Sequence, residues 1–221
     1  MRYLGLVLFA AALPAVAAVP TPPRDLTDPR SLNSLANPNA APVPIADLFY
    51  THSNGGIAWS PDGKEVVISS NLSGRLNLWK ASAEGSWPVQ LAHSDNRQIG
   101  AAWSPDGEWI VFQSDAAGNE LYSLFSVAAR GGATVALTGM RDASEGAAHW
   151  SPDGKWLAFE RKLKDAPATD IALLNWSTHE VTLLTHEATR DHFWQLVSWG
   201  ADERFIYANR SNAASSDSSR L

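Results

Sequence analysis

The sequence predicts an all-β fold, a partial β-propeller of three complete four-stranded blades plus half of a fourth, on three observations. The first is a repeat. Ala58-Trp59-Ser60-Pro61-Asp62-Gly63-Lys64 returns as Ala102-Trp103-Ser104-Pro105-Asp106-Gly107-Glu108 and as His149-Trp150-Ser151-Pro152-Asp153-Gly154-Lys155. A degenerate copy, Ser198-Trp199-Gly200-Ala201-Asp202-Glu203-Arg204, follows, and the four tryptophans stand 44, 47 and 49 residues apart. A period in this range marks a repeat architecture. The second observation is the apolar run after each copy: Val66-Val67-Ile68, Ile110-Val111-Phe112, Leu157-Ala158-Phe159 and Phe205-Ile206-Tyr207. These runs are continuous rather than alternating, which predicts strands covered on both faces, as in stacked propeller blades. The third is turn chemistry: in Ser-Pro-Asp-Gly, proline presets φ, aspartate bonds the local backbone and glycine supplies a positive φ.

Each element follows from the chain in order. Residues 1–18 read as a signal peptide, with Arg2 as the positive end, an apolar core over 4–13 and small residues at Val16-Ala17-Ala18. That core falls short of the about 20 residues a membrane-spanning helix needs. Residues 19–44 form a Pro/Asn-rich leader without periodicity. The incomplete propeller domain occupies 45–221. It opens on Ile45-Ala46-Asp47-Leu48-Phe49-Tyr50, read either as a strand tying the ring together or as a loop over an exposed edge.

The first blade is expected to use strands at 56–59, 66–70, 76–80 and 89–92. The second uses 100–103, 109–114, 121–127 and 134–138, and the third 147–150, 156–161, 170–175 and 181–185. Four short strands with turns about every 8–12 residues is the all-β pattern. A half-blade spans 195–199 and continues to 207–208. From Asn209 the chain turns polar, and the last two strands of that blade are missing. Closed propellers typically take four to eight blades. The chain is therefore expected to be a fragment of a longer protein, or else to pair with another copy. Burying one tryptophan removes about 150–250 Å² from water, roughly 4–6 kcal/mol at most, so uncovered blade faces are costly.

Composition narrows the function classes. Hydrophobic residues make up 45% and charged residues 18%, an ordinary globular balance. A net charge of −6 offers no basic footprint for nucleic acid. With no cysteine, disulfides, thiolate metal sites, a cysteine nucleophile and an N-terminal lipid anchor on cysteine are all excluded. Of the ten tryptophans, Trp59, Trp79, Trp103, Trp109, Trp150, Trp156, Trp194 and Trp199 fall in or beside predicted strands.

The repeat Trp-Ser-Pro-Asp-Gly-Lys/Glu followed by an apolar strand resembles the propeller repeats of TolB/PD40 type. It also resembles the N-terminal propeller of exported serine peptidases of the prolyl oligopeptidase family (S9). Residues 45–50, 71–79, 185–192 and 207–212 resemble the peptidase branch more closely, and the likeness covers about 44–219. The resemblance implies a propeller that gates peptide substrates and docks on an α/β-hydrolase catalytic domain C-terminal to this chain. It also implies a periplasmic or secreted location. This sequence contains no Gly-x-Ser-x-Gly nucleophile elbow and no Glu-Glu pair, so no catalytic residue carries over. The alternative implied by the TolB likeness is a periplasmic scaffold that binds protein partners.

Candidate chemistry is sparse. His52, His93, His149, His179, His186 and His192 include no pair at i, i+4 spacing, so no metal site is expected. Asp62, Asp106 and Asp153 recur in register, but each stands alone in its turn, and turn stabilisation explains them better than calcium. Asp191-His192 beside serines is read as coincidence rather than a triad. Asn71-Leu72-Ser73, Asn175-Trp176-Ser177 and Asn209-Arg210-Ser211 match the glycosylation pattern, which means little in a bacterial periplasm. Arg161-Lys162-Leu163-Lys164 reads as a solvated basic loop. No catalytic, cofactor-binding or metal residue is assigned, and no cofactor is expected.

Overall fold

The computed structural model describes residues 52–139, 142–202 and 204–212, all within one compact unit, Tyr50–Leu221. The predicted signal peptide, leader and 45–50 segment lie outside these residues, as does the polar stretch after 212. Among the described residues, fourteen strands form three four-stranded antiparallel sheets and one two-stranded sheet, each in chain order. Blade 1 comprises β1 (Asn54–Trp59), β2 (Glu65–Ser70), β3 (Asn77–Ser82) and β4 (Val89–Gln90). Blade 2 comprises β5 (Gln98–Trp103), β6 (Trp109–Ser114), β7 (Ser123–Ala128) and β8 (Val135–Ala136). Blade 3 comprises β9 (Ala143–Trp150), β10 (Trp156–Leu163), β11 (Asp170–Asn175) and β12 (Val181–Leu183). The half-blade comprises β13 (His192–Trp199) and β14 (Ile206–Asn212). The expected all-β partial propeller is what the chain forms.

The continuous apolar runs split between two cores because successive strand residues face opposite ways. Ile110 and Phe112 of β6 join Val67, Leu78, Leu91 and Val127 between blades 1 and 2. Val111, between them in sequence, points the other way and joins Leu124, Leu157, Phe159, Ala172 and Leu174 between blades 2 and 3. A strand sandwiched in this way has no polar face to give up.

Three details differ from the sequence reading. Each innermost strand starts two to four residues earlier than expected, at Asn54, Gln98, Ala143 and His192, because a bulge lets the ladder continue past it. The polar stretch Asn209-Arg210-Ser211-Asn212 continues β14, pairing with Gln195, Trp194, Phe193 and His192, so polarity alone did not end the strand. Lys162 and Leu163 extend β10 where a loop was expected, and Arg161, the last residue of the expected strand, is buried rather than solvated.

Candidate functional site

The three Ser-Pro-Asp-Gly turns share one hydrogen-bond pattern. Gly63, Gly107 and Gly154 each donate N–H to the carbonyl of the turn serine at 2.9 Å, with φ of 70°, 74° and 71°. The serine hydroxyls of Ser60, Ser104 and Ser151 donate to Asp62, Asp106 and Asp153 at 2.7, 2.5 and 2.7 Å. The same hydroxyls accept the N–H of Glu65, Trp109 and Trp156, each at 2.9 Å. Each aspartate also accepts the N–H of Lys64, Glu108 or Lys155. The recurring carboxylates are thus held within their own turns. Bonding from Ser60 and Ser104 holds Asp62 and Asp106 below the usual carboxylate range. The Lys155 ammonium, followed by Ser151, brings Asp153 down to about 2. In the degenerate copy Gly200 replaces the serine, and Asp202 still accepts the Arg204 N–H, at 3.2 Å.

The tryptophans before these turns join one blade to the next. The indole Nε1 of Trp103 donates to the carbonyl of Ala58 at 3.1 Å, and that of Trp150 to Ala102 at 3.4 Å. Trp199 donates to His149. In every case the acceptor is the residue immediately before the previous blade's tryptophan. Five residues before each of these tryptophans a second clasp recurs: Gln98, Glu145 and Trp194 donate backbone N–H to Leu76, Tyr122 and Thr169 at 2.8, 2.8 and 3.0 Å. The side chains of Gln98 and Glu145 then accept the N–H of Leu78 and Leu124 at 3.2 and 3.1 Å. A third clasp lies beside the bulges. Gln113 donates to the Glu145 carbonyl at 2.6 Å, and Glu160 accepts the Leu196 N–H at 2.9 Å.

Two ionic groups are part of this cohesion. Glu145 is buried, receives the Thr138 hydroxyl as well as the Leu124 N–H, and faces Arg161 across the ladder at 3.6 Å. Burial pushes its carboxyl above the usual range despite these partners. Glu187, in the loop between blade 3 and the half-blade, takes both prongs of the Arg210 guanidinium at 2.7 and 3.1 Å. That bidentate contact lowers the Glu187 carboxyl and raises the Arg210 guanidinium.

Between the inner strands β5 and β9 runs a groove of about 480 Å³, lined by Gly100, Ala101, Ala102, Trp103, Ala148, His149 and Trp150. Small residues leave this wall open, and burial holds the His149 imidazole below its ordinary range. The remaining histidines are dispersed: His52, His93 and His186 are exposed, and His179 occupies a turn at φ 59°. Among the described residues, no group of three or more His, Cys, Asp or Glu is placed to hold a metal ion. The Asn71 side-chain oxygen accepts the N–H of Ser53, 18 residues away, and that of Asn175 accepts the N–H of Ser177 and Thr178 in its own turn.

Sequence reasoning missed two sets of residues. Gln98, Glu145, Gln113 and Glu160 are polar strand residues at fixed offsets from the repeat tryptophan, and that offset is the signal that could have found them. Trp176, in the turn after β11, packs edge-on against Trp150 and Trp109 with ring centroids 4.7 and 5.7 Å away. It lies outside the repeat motif, so periodicity did not single it out.

Known structures share the architecture. TolB from Agrobacterium tumefaciens superposes with a TM-score of 0.57 at 20% identity, over 73% of this chain and 60% of that one. Oligogalacturonate lyase from Vibrio parahaemolyticus gives 0.56 at 16% identity, over 71% and 45%. Prolyl oligopeptidase B from Galerina marginata gives 0.54 at 15% identity, over 71% and 24%. The chain thus spans less than two thirds of each of these proteins, and likeness at such identities shows the fold. No curated protein matches the chain. The family model described as the TolB beta propeller domain matches residues 48–215, and the chain belongs to that family.

Proposed function

We propose that this chain is the propeller part of an exported serine peptidase of the prolyl oligopeptidase type, silent in catalysis by itself. It gates peptide access and docks on an α/β-hydrolase domain supplied by the rest of the parent protein. The observation that carries this reading is how its polar groups are used. The carboxylates with shifted protonation, Asp62, Asp106, Asp153, Glu145 and Glu187, are bonded to turn or blade partners. The inner groove, in contrast, is walled mainly by Gly, Ala and Trp. A wall of that kind can admit an extended peptide without performing chemistry on it. The likeness to the prolyl oligopeptidase propeller supports the assignment.

The test has two arms. The purified chain is expected to leave peptidyl-nitroanilide substrates intact, and turnover that follows the chain through purification would refute the reading. The genomic frame downstream is expected to encode further blades and then Gly-x-Ser-x-Gly; blades alone would favour a second reading. That second reading, a TolB-like periplasmic scaffold binding protein partners, is favoured by the family match itself.

A further inference from the structure

Ser69, Gln113 and Glu160 each stand ten residues after a repeat tryptophan. Residues two apart share a strand face, so Ser69 shares that of Val67, which packs between blades 1 and 2. Gln113 likewise shares the face of Val111, which packs between blades 2 and 3. In blades 2 and 3 this side chain is long and crosses the joint. The Gln113 amide donates to the Glu145 carbonyl at 2.6 Å, and the Glu160 carboxylate accepts the Leu196 N–H at 2.9 Å. A neighbouring glycine makes the room. A Cβ on Gly100 would land on the Gln113 side-chain oxygen, and one on Gly146 would come within 3.2 Å of the Glu160 carboxylate.

Blade 1 keeps the glycine and shortens the side chain. A Cβ on Gly56 would lie 3.4 Å from Ser69 Oγ and 3.7 Å from the Gly100 nitrogen of blade 2. Gly100 stands three places before Trp103, as Leu196 stands before Trp199. Gln98 stands five places before Trp103, as Glu145 stands before Trp150. Gly100 N–H and the Gln98 carbonyl are therefore the counterparts of the donor and the acceptor engaged at the other two joints. A serine is too short to take the place of a glutamine amide or a glutamate carboxylate there. Ser69 is only 2% exposed, and its hydroxyl has no hydrogen-bond partner within the protein. Such a hydroxyl is costly to bury, and water is the usual remedy where a site offers about two to four polar partners.

We propose that blades 1 and 2 are joined through one bound water, seated where the Gln113 carboxamide and the Glu160 carboxylate sit at the other joints. It accepts the Ser69 hydroxyl and the Gly100 N–H and donates to the Gln98 carbonyl. The site is made entirely by the facing sides of blades 1 and 2. It is polar on three sides and bordered on the fourth by a residue without a side chain, so a molecule of this size fits and a larger ligand does not.

A crystal structure of the full chain, at a resolution that shows ordered solvent, is expected to place a water within hydrogen-bond distance of Ser69 Oγ, Gly100 N and the Gln98 oxygen. Ser69→Gln puts the longer side chain of Gln113 into blade 1 and is expected to displace that water. The folded-to-unfolded ratio should then rise about two- to tenfold, the net worth of one further direct hydrogen bond, read as a higher urea midpoint. A folded Ser69→Gln chain no more stable than wild type would mean that the joint has no room beyond the hydroxyl, and would overturn the proposal. So would a wild-type structure in which Ser69 Oγ bonds to a protein group, or in which no solvent lies between it and Gly100. That second measurement decides the matter even if Ser69→Gln fails to fold.

Discussion

Trp199 Nε1 lies 2.9 Å from the carbonyl oxygen of His149, and the two residues are 50 positions apart in the chain. This contact crosses from the half-blade to blade 3 and repeats what Trp150 and Trp103 do one and two blades earlier. The indole combines a large apolar body with one N–H, so it fills the gap between sheets and satisfies a carbonyl that the ladder leaves over. Cohesion of the arc therefore has a directional component in addition to apolar burial.

Trp103→Phe tests that component. The ring remains, the N–H is lost, and the Ala58 carbonyl loses its donor. A loss of about 1–3 kcal/mol in unfolding free energy is expected, the cost of leaving a buried polar group unpaired. Urea denaturation measures it, with Trp87→Phe, at a side chain 84% exposed, as the neutral control.

Gly100→Ala tests the bulge. Gly100 holds φ of 63°, and an added Cβ would land on the side-chain oxygen of Gln113. Gln113 would have to leave, giving up its bond to the Glu145 carbonyl. Gly63→Ala meets the same backbone strain, φ 70°, with open space around it. Gly63→Ala is expected to cost about 1–2 kcal/mol from the left-handed backbone alone, and Gly100→Ala clearly more. Equal losses by urea denaturation would show that the collision does not matter.

Acid should weaken the third turn. Asp153 titrates near 2 in the folded chain and at about 3.9 when unfolded. A depressed carboxylate contributes stability that is present above the unfolded value and is lost as pH falls through the folded one. Asp153→Asn is therefore expected to lower the urea midpoint at pH 6. Its deficit should shrink between about pH 4 and the folded value near 2. A deficit independent of pH would argue against the Lys155 and Ser151 bonds as its source.

Glu145 should behave in the opposite sense. Its carboxyl is raised by burial, so the folded state holds the proton more tightly than the unfolded state, which releases it at about 4.3. The contribution from that proton is present below the unfolded value and is lost as pH rises through the folded one. Glu145→Gln removes this titration and keeps the shape. Relative to wild type, the variant is expected to gain stability as pH rises from about 4.3 to the raised folded value, and to hold a constant difference beyond it. A constant difference across that range, read from denaturation curves at several pH values, would contradict a raised carboxyl at this site.

Strand count, blade order and the four turns were legible in the chain, because each rests on local chemistry. Ser-Pro-Asp-Gly closes a hairpin wherever it stands, and runs such as Ile110-Val111-Phe112 have to be covered on both faces. The bulges were less legible. They arise where Gly56, Gly100 and Gly146 let a neighbouring side chain come close, and neither the glycine nor the polar residue opposite it marks a bulge until the two strands are paired. Arg161 was misread for a related reason: a basic cluster looks solvated until a buried carboxylate, Glu145, is known to face it.

The sequence by itself determined that this is a propeller built from repeated four-stranded modules, since period, turn chemistry and apolar runs are properties of neighbouring residues. Only the tertiary structure decided which groups hold one module to the next. Those contacts join residues of neighbouring blades, such as Trp150 to Ala102 and Leu196 to Glu160. Donor and acceptor meet there because sheets stack, and stacking distance is set by packing rather than by position in the chain.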